Sequence, residues 1–159
     1  MTNISGSKPQ KVQDALKQGG YTYQVIEMPE STRSAREAAE ALGCQVAQIA
    51  KSLVFKGRQT QKPYLVIASG INRVNEAVLN TLVGEPIEKA SADFVLEKTG
   101  FAIGGVPPLG HIQTLKTLID EDLLQYEQIW AAAGSSHAVF QLASADLAAM
   151  TGGMIVRIL

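Results

Sequence analysis

Two apolar runs, residues 49 to 56 (IAKSLVFK) and residues 64 to 68 (YLVIA), lie on either side of a short polar stretch. A parallel return needs a crossover of about a dozen residues or more, so runs this close pair as an antiparallel hairpin. Lys56, Gly57 and Arg58 suit its turn. Elsewhere the chain mixes short strand-type runs and helical stretches without a regular alternation. That pattern predicts an α/β chain of the mixed α+β kind, with a mixed or antiparallel sheet and helices outside it. A doubly wound parallel sheet is disfavoured.

The remaining elements follow from period and punctuation. Over residues 8 to 18, Val12, Ala15 and Leu16 form one helical stripe, and Gly19-Gly20 ends it. Residues 21 to 27 alternate as a strand, broken by Met28-Pro29. Thr32 or Ser34 caps a helix running through Leu42, which Gly43 stops. Helices are predicted over 75 to 83, closed by Gly84, and over 92 to 98, closed by Gly100. Strands are predicted over 115 to 119, 128 to 133 and 138 to 142, with a short acidic helix over 120 to 124. A capped helix over 144 to 150 and a strand over 154 to 159 complete the pattern. Residues 101 to 111 (FAIGGVPPLGH) are so rich in glycine and proline that they read as a loop of fixed shape. At 159 residues the chain suits one domain, expected over 8 to 159 behind a frayed tail of residues 1 to 7.

Charge and cysteine use narrow the function. The formal net charge of -1 argues against bulk nucleic-acid binding, which draws its affinity from neutralised phosphates; an RNA partner would be gripped locally. The single cysteine, Cys44, forbids an intramolecular disulfide, and with only two histidines a tetrahedral zinc site is not expected. The apolar runs are too short to span a bilayer, and residues 1 to 10 lack the apolar core of a signal peptide. The expected compartment is the cytoplasm. No GxxxxGK[ST], GxSxG, HExxH or GxGxxG occurs, which disfavours NTPases, serine esterases, zincins and dinucleotide enzymes.

Several stretches can carry chemistry, each with a plainer reading beside it. Gly104-Gly105 allows positive φ and close ligand approach, while Pro107-Pro108 stiffens the other half of the loop. The N–H groups of Gly104, Gly105 and Val106 can then hold a carbonyl oxygen or oxyanion; alternatively the loop is a rigid turn. Strand alternation puts Lys51 on one face with Leu53 and Phe55. Lys51 is either an ammonium aimed into a pocket or a strand-end lysine reaching water. Gly134, Ser135, Ser136 and His137 form a polar cluster between two strands, either a substrate contact or an ordinary hairpin turn. His111 is a further candidate, without a visible acidic partner. Cys44 reads as a small buried residue, Trp130 as core, and Arg73 as a phosphate contact or a solvated loop residue.

The stretches SAREAAEALG, QIAKSLVFK, YLVIASG, FAIGGVPPLGH and AAAGSSHAVFQLASADLAAMTGG occur in that order. In combination they resemble the YbaK/prolyl-tRNA-editing family of aminoacyl-tRNA deacylases, from about Tyr21 onward. The resemblance implies a compact domain on a mixed, barrel-like sheet, and hydrolysis of the ester joining a wrong amino acid to tRNA, mostly tRNA for proline. It implies Lys51 as the family's lysine, with Ser52 as its polar neighbour. The family's GxxxP loop falls on Gly104 through Pro108, with Gly104 catalytic and Gly105, Val106 and Pro108 binding substrate. The pocket-closing turn falls on Gly134, with Ser135, Ser136 and His137 behind it. No metal or cofactor is implied. The implied partners are the acceptor end of mischarged tRNA and, secondarily, prolyl-tRNA synthetase, with no membrane. Cysteine-specific members tend to carry an acidic residue shortly after the pocket glycine. Here SSHAVFQL has none before Asp146, so alanine or another small amino acid is the expected substrate. The competing expectation is a non-catalytic module that grips the aminoacyl-tRNA acceptor end or a synthetase.

Overall fold

The computed structural model of the chain describes residues 6–159. The expected tail thus lies mostly outside the described residues, and the first helix, α1 (Ser7–Gln18), starts one residue before the expected position. Then follow β1 (Val25–Glu27), α2 (Ala35–Leu42), β2 (Ile49–Gly57), β3 (Pro63–Ser69), α3 (Glu76–Val83), β4 (Ile87–Lys89) and α4 (Ala92–Thr99). The chain continues through β5 (Lys116–Asp120), β6 (Gln128–Ala132), β7 (Ala138–Ala143), α5 (Leu147–Thr151) and β8 (Met154–Val156).

The strands form one mixed eight-stranded sheet in the order β1-β7-β6-β2-β3-β5-β8, with β4 paired to β2. The β2–β3 hairpin at its centre is antiparallel, while β2–β6, β3–β5 and β5–β8 are parallel. Alternation along β3 divides the core. Leu65 and Ile67 pack with Val12, Leu16, Val95 and Phe101, whereas Tyr64, Val66 and Ala68 pack with Phe55, Leu79 and Leu118.

The helix signals act as their chemistry requires. Ser34 caps α2 by accepting from the Glu37 N–H, and Glu37 reaches back to the Ser34 N–H, a reciprocal capping box. Asn75 and Ser91 cap α3 and α4. Long-range pairing overrode other expectations. Only Val25–Glu27 of the expected strand over 21 to 27 pairs, against β7. Upstream of it, Gln13 of α1 intervenes, accepting from the Val25 N–H and donating to the Tyr23 carbonyl. The hairpin turn lies beyond Gly57, whose N–H bonds to the Lys62 carbonyl. Gly57 itself is a strand residue, and a Cβ there would fall 2.4 Å from the Glu85 carboxylate. Residues 144 to 146 form a 3-10 turn before α5. There the Ser144 hydroxyl donates to the Tyr126 carbonyl rather than capping the helix.

Candidate active site

The site begins as a gap in the sheet. On the edge away from β3, β2 pairs with β6 only at Ile49 and Ala50, and with β4 only at residues 55 to 57. The Ala90 N–H adds a bond to the Val54 carbonyl. Between these pairings the edge of residues 51 to 53 is open. Ile49 offers its carbonyl toward β3, to Gly70, and Val54 offers its own the opposite way. By the two-residue period of a strand, the N–H and C=O of Ser52 therefore face the open edge.

Two hollows meet at that edge. The first, about 440 Å³, lies between β2, β6, the start of α2 and the Gly/Pro loop; Arg33, Lys51, Gly104 and Trp130 are among its walls. The second, about 370 Å³, extends toward Arg73, Glu76 and Lys89. Lys51, Ser52, Leu53, Ile103 and Val106 line both. The side chains of Lys51 and Ser52 leave opposite faces of β2, yet the gap lets both border the same space.

Lys51 is half-buried. Burial pushes its pKa below the usual lysine value, and the negative charge of Asp120 opposes that shift. Its Nζ donates to the Gly70 carbonyl at 3.5 Å, the outer limit of a hydrogen bond. An ammonium has three donors, so most of its capacity remains for a ligand. The Ser52 Oγ is buried without a hydrogen-bond partner among the described residues. An unpaired buried hydroxyl costs about 1–3 kcal/mol, and a ligand entering the gap would relieve it.

The Gly/Pro loop does two different jobs. Gly104 has φ +91°, and the side chain of Arg33 lies where its Cβ would be, 2.5 Å from Cγ. Gly105 is turned the other way: its N–H bonds to the Ala102 carbonyl and its carbonyl accepts from Gly134. A Cβ at Gly105 would come within 2.9 Å of the Ser135 backbone. The expectation that the Gly105 amide is free for an oxyanion is therefore corrected. The amides of Gly104 and Val106 remain without a protein partner among the described residues. Pro108 lines a separate depression near His111 instead of either hollow.

The turn after β6 buttresses the loop. Besides the bond from Gly134 to Gly105, the Ser136 carbonyl accepts from the N–H and hydroxyl of Thr32, and the Ser135 Oγ from the His137 N–H. His137 is exposed, with Nδ1 2.9 Å from the Glu30 carbonyl. Ser135, Ser136 and His137 line neither hollow; they hold Thr32 and Gly105 in place. His111 is likewise remote. Its Nε2 lies 2.7 Å from the Pro107 carbonyl, and burial lowers its pKa. Burial raises the pKa of the Cys44 thiol, as suits a packing residue. Trp130, expected in the core, is partly exposed as a wall of the first hollow, and Arg73 borders the second.

Sequence reasoning missed Arg33 and Ile103. Arg33 directly precedes the capping serine of α2, but nothing local shows that it crosses to Gly104. Ile103 is apolar and 47% exposed beside the gap; an isoleucine inside a Gly/Pro loop was the available signal.

Comparison with known proteins places the chain in a family. The model of the aminoacyl-tRNA editing domain matches residues 29–150. The chain belongs to that family. A crystal structure described as a candidate trans-editing enzyme for prolyl-tRNA synthetase superposes with TM-score 0.91 at 44% identity, covering 98% of each chain. The uncharacterized protein YwhH of Bacillus subtilis is 31% identical over 123 residues, 77% of this chain and 78% of its own length. EbsC of Enterococcus faecalis, a candidate Cys-tRNA(Pro)/Cys-tRNA(Cys) deacylase, is 28% identical over 126 residues, 79% of this chain and 76% of its own.

Proposed function

We propose that this chain is a trans-acting aminoacyl-tRNA deacylase that cleaves the ester of mischarged tRNA, with tRNA for proline carrying a small wrong amino acid such as alanine or cysteine as its substrate. The observation that carries the reading is the open edge of β2. There an ammonium with donors to spare, an unpartnered hydroxyl and the amides of a glycine loop border one hollow. No histidine lines either hollow. That suits an ester already reactive enough to need positioning and charge stabilisation more than a strong base.

In this reading the aminoacyl group occupies the first hollow, against Trp130 and Val139, and the terminal nucleotide lies toward Arg73 and Lys89. Water adds to the ester carbonyl. The resulting oxyanion is held by the amides of Gly104 and Val106, and the Lys51 ammonium supplies positive potential. The ribose oxygen leaves and takes up a proton, freeing the amino acid and intact tRNA. As an ester hydrolase of translation editing the chain would work in the cytoplasm; no helix among the described residues is long and apolar enough to cross a membrane. The test is release of amino acid from proline tRNA charged with alanine, cysteine, serine or threonine. Turnover of at least one is expected. Tight binding of all four without hydrolysis would instead indicate a module that grips the acceptor end.

A further inference from the structure

Asp120 is 1% exposed, and both of its carboxylate oxygens are hydrogen-bonded. Oδ1 accepts from the Asp122 N–H at 2.9 Å. Oδ2 accepts from the Ser69 N–H at 2.9 Å and from Asn72 Nδ2 at 2.8 Å. Ser69 and Asn72 bracket Gly70, whose carbonyl receives the Lys51 ammonium. The same turn is fixed from the other side, by Gly70 N–H to the Ile49 carbonyl and Ser69 Oγ to the Ala47 carbonyl. A Cβ at Gly70 would fall 2.4 Å from the Val46 carbonyl, so the turn has no room to drift in that direction.

We propose that Asp120 is a positioning residue for Lys51, clamping the 69–72 turn so that the Gly70 carbonyl aims the ammonium at the gap in β2. The role rests on the deacylase reading for its effect on turnover, but not for its effect on the lysine itself. Three hydrogen bonds from neutral donors satisfy the carboxylate without a cation, so it does not need Lys51 to stay in place. Its negative charge also opposes the lowering of the Lys51 pKa by burial. The other charged groups around Lys51 do not substitute for it. Arg33 and Glu37 share the first hollow, and Arg73, Glu76 and Lys89 the second; all are on exposed or solvent-facing positions, where water screens them. Asp122 is the nearest further carboxylate on the network, bonded to the same Asn72 amide.

The direct test follows the Lys51 Nζ and Cε resonances through a pH titration of substrate-free protein, with Lys51→Arg identifying the signal. In Asp120→Asn the titration should move to lower pH. The kcat for deacylation should fall about tenfold with little change in KM, as a misaimed group costs chemistry more than binding. Lys51 resonances and titration unmoved in a folded Asp120→Asn protein overturn the positioning of Lys51, whatever the substrate proves to be. Asn72→Ala keeps the carboxylate but loosens the clamp, and serves if Asp120→Asn does not fold. It should lower kcat at least threefold, and wild-type kcat there overturns the aiming role. If the wild-type chain deacylates nothing and Asp120→Asn still moves the Lys51 resonances, the deacylase reading fails and the positioning of Lys51 by Asp120 stands.

Discussion

Replacing Lys51 by methionine should separate activity from stability, because the structure asks little of this ammonium in holding the fold. Its hydrogen bond to Gly70 is 3.5 Å long. Its stem lies on the face of β2 that carries Leu53 and Phe55, and Asp120 is satisfied by three other donors. Methionine keeps a chain of similar length against that face and removes a charge that burial disfavours. A weak hydrogen bond lost and a desolvated charge removed nearly cancel, so the stability change should stay within about 1 kcal/mol. For a chain of this size that is a shift in Tm of roughly 2–4 °C, in either direction.

Activity should respond quite differently. If the ammonium faces the developing oxyanion, its removal costs at least about 1.4 kcal/mol of transition-state stabilisation, a tenfold loss. A loss of about a hundredfold matches removal of one donor from an oxyanion site elsewhere. The assay is single-turnover release of alanine from mischarged proline tRNA, alongside thermal unfolding of the same preparations. Single-turnover rates within twofold of wild type would remove Lys51 from the mechanism. A drop of several kcal/mol in stability would refute the other half of the reasoning, since it would make the ammonium a structural ion.

Three further predictions test other parts of the molecule. Gly105→Ala puts a methyl 2.9 Å from the Ser135 backbone, which cannot rotate away; overpacking of about 1–3 kcal/mol should lower the urea midpoint, and an unchanged midpoint would show that the two loops do not abut. The Glu85 carboxylate, held at a pKa of about 2 by Thr60, Tyr64 and the Gln59 amide, sits below its ordinary value of 4.5. Its stabilisation is therefore complete above about pH 4.5 and is lost as pH falls toward 2, so the urea-midpoint advantage of wild type over Glu85→Gln should shrink on going from neutral to pH 3. Trp130→Ala enlarges the first hollow, and deacylation of larger aminoacyl groups should rise relative to alanine by about tenfold, measured as a ratio of kcat/KM values; an unchanged ratio would place the acyl group elsewhere.

What the sequence disclosed follows from the range of the interactions involved. Capping boxes, helix-stopping glycines and the β2–β3 hairpin are local, settled by residues within a few positions of one another, and they could be read directly. The turn beyond Gly57 could not, because its place is set by a carboxylate from Glu85. Nor could the short strand β4, which exists through its pairing with residues 55 to 57. The same distinction divides the candidate site. Lys51 and Gly104 announce themselves as a cation in an apolar strand and a glycine in a stiff loop. The open edge that joins them arises because β6 leaves β2 after Ala50 and β4 arrives only at Phe55, a matter of tertiary register that no local pattern encodes. Arg33, Trp130 and Asp120 become functional candidates only once that gap exists. The loop glycines make the point most sharply. Adjacent and chemically identical, Gly104 turns toward the hollow under Arg33, while Gly105 is spent on the backbone of the neighbouring turn. A glycine pair in a sequence marks where backbone must come close to something, and the fold decides whether that something is a substrate or the rest of the protein.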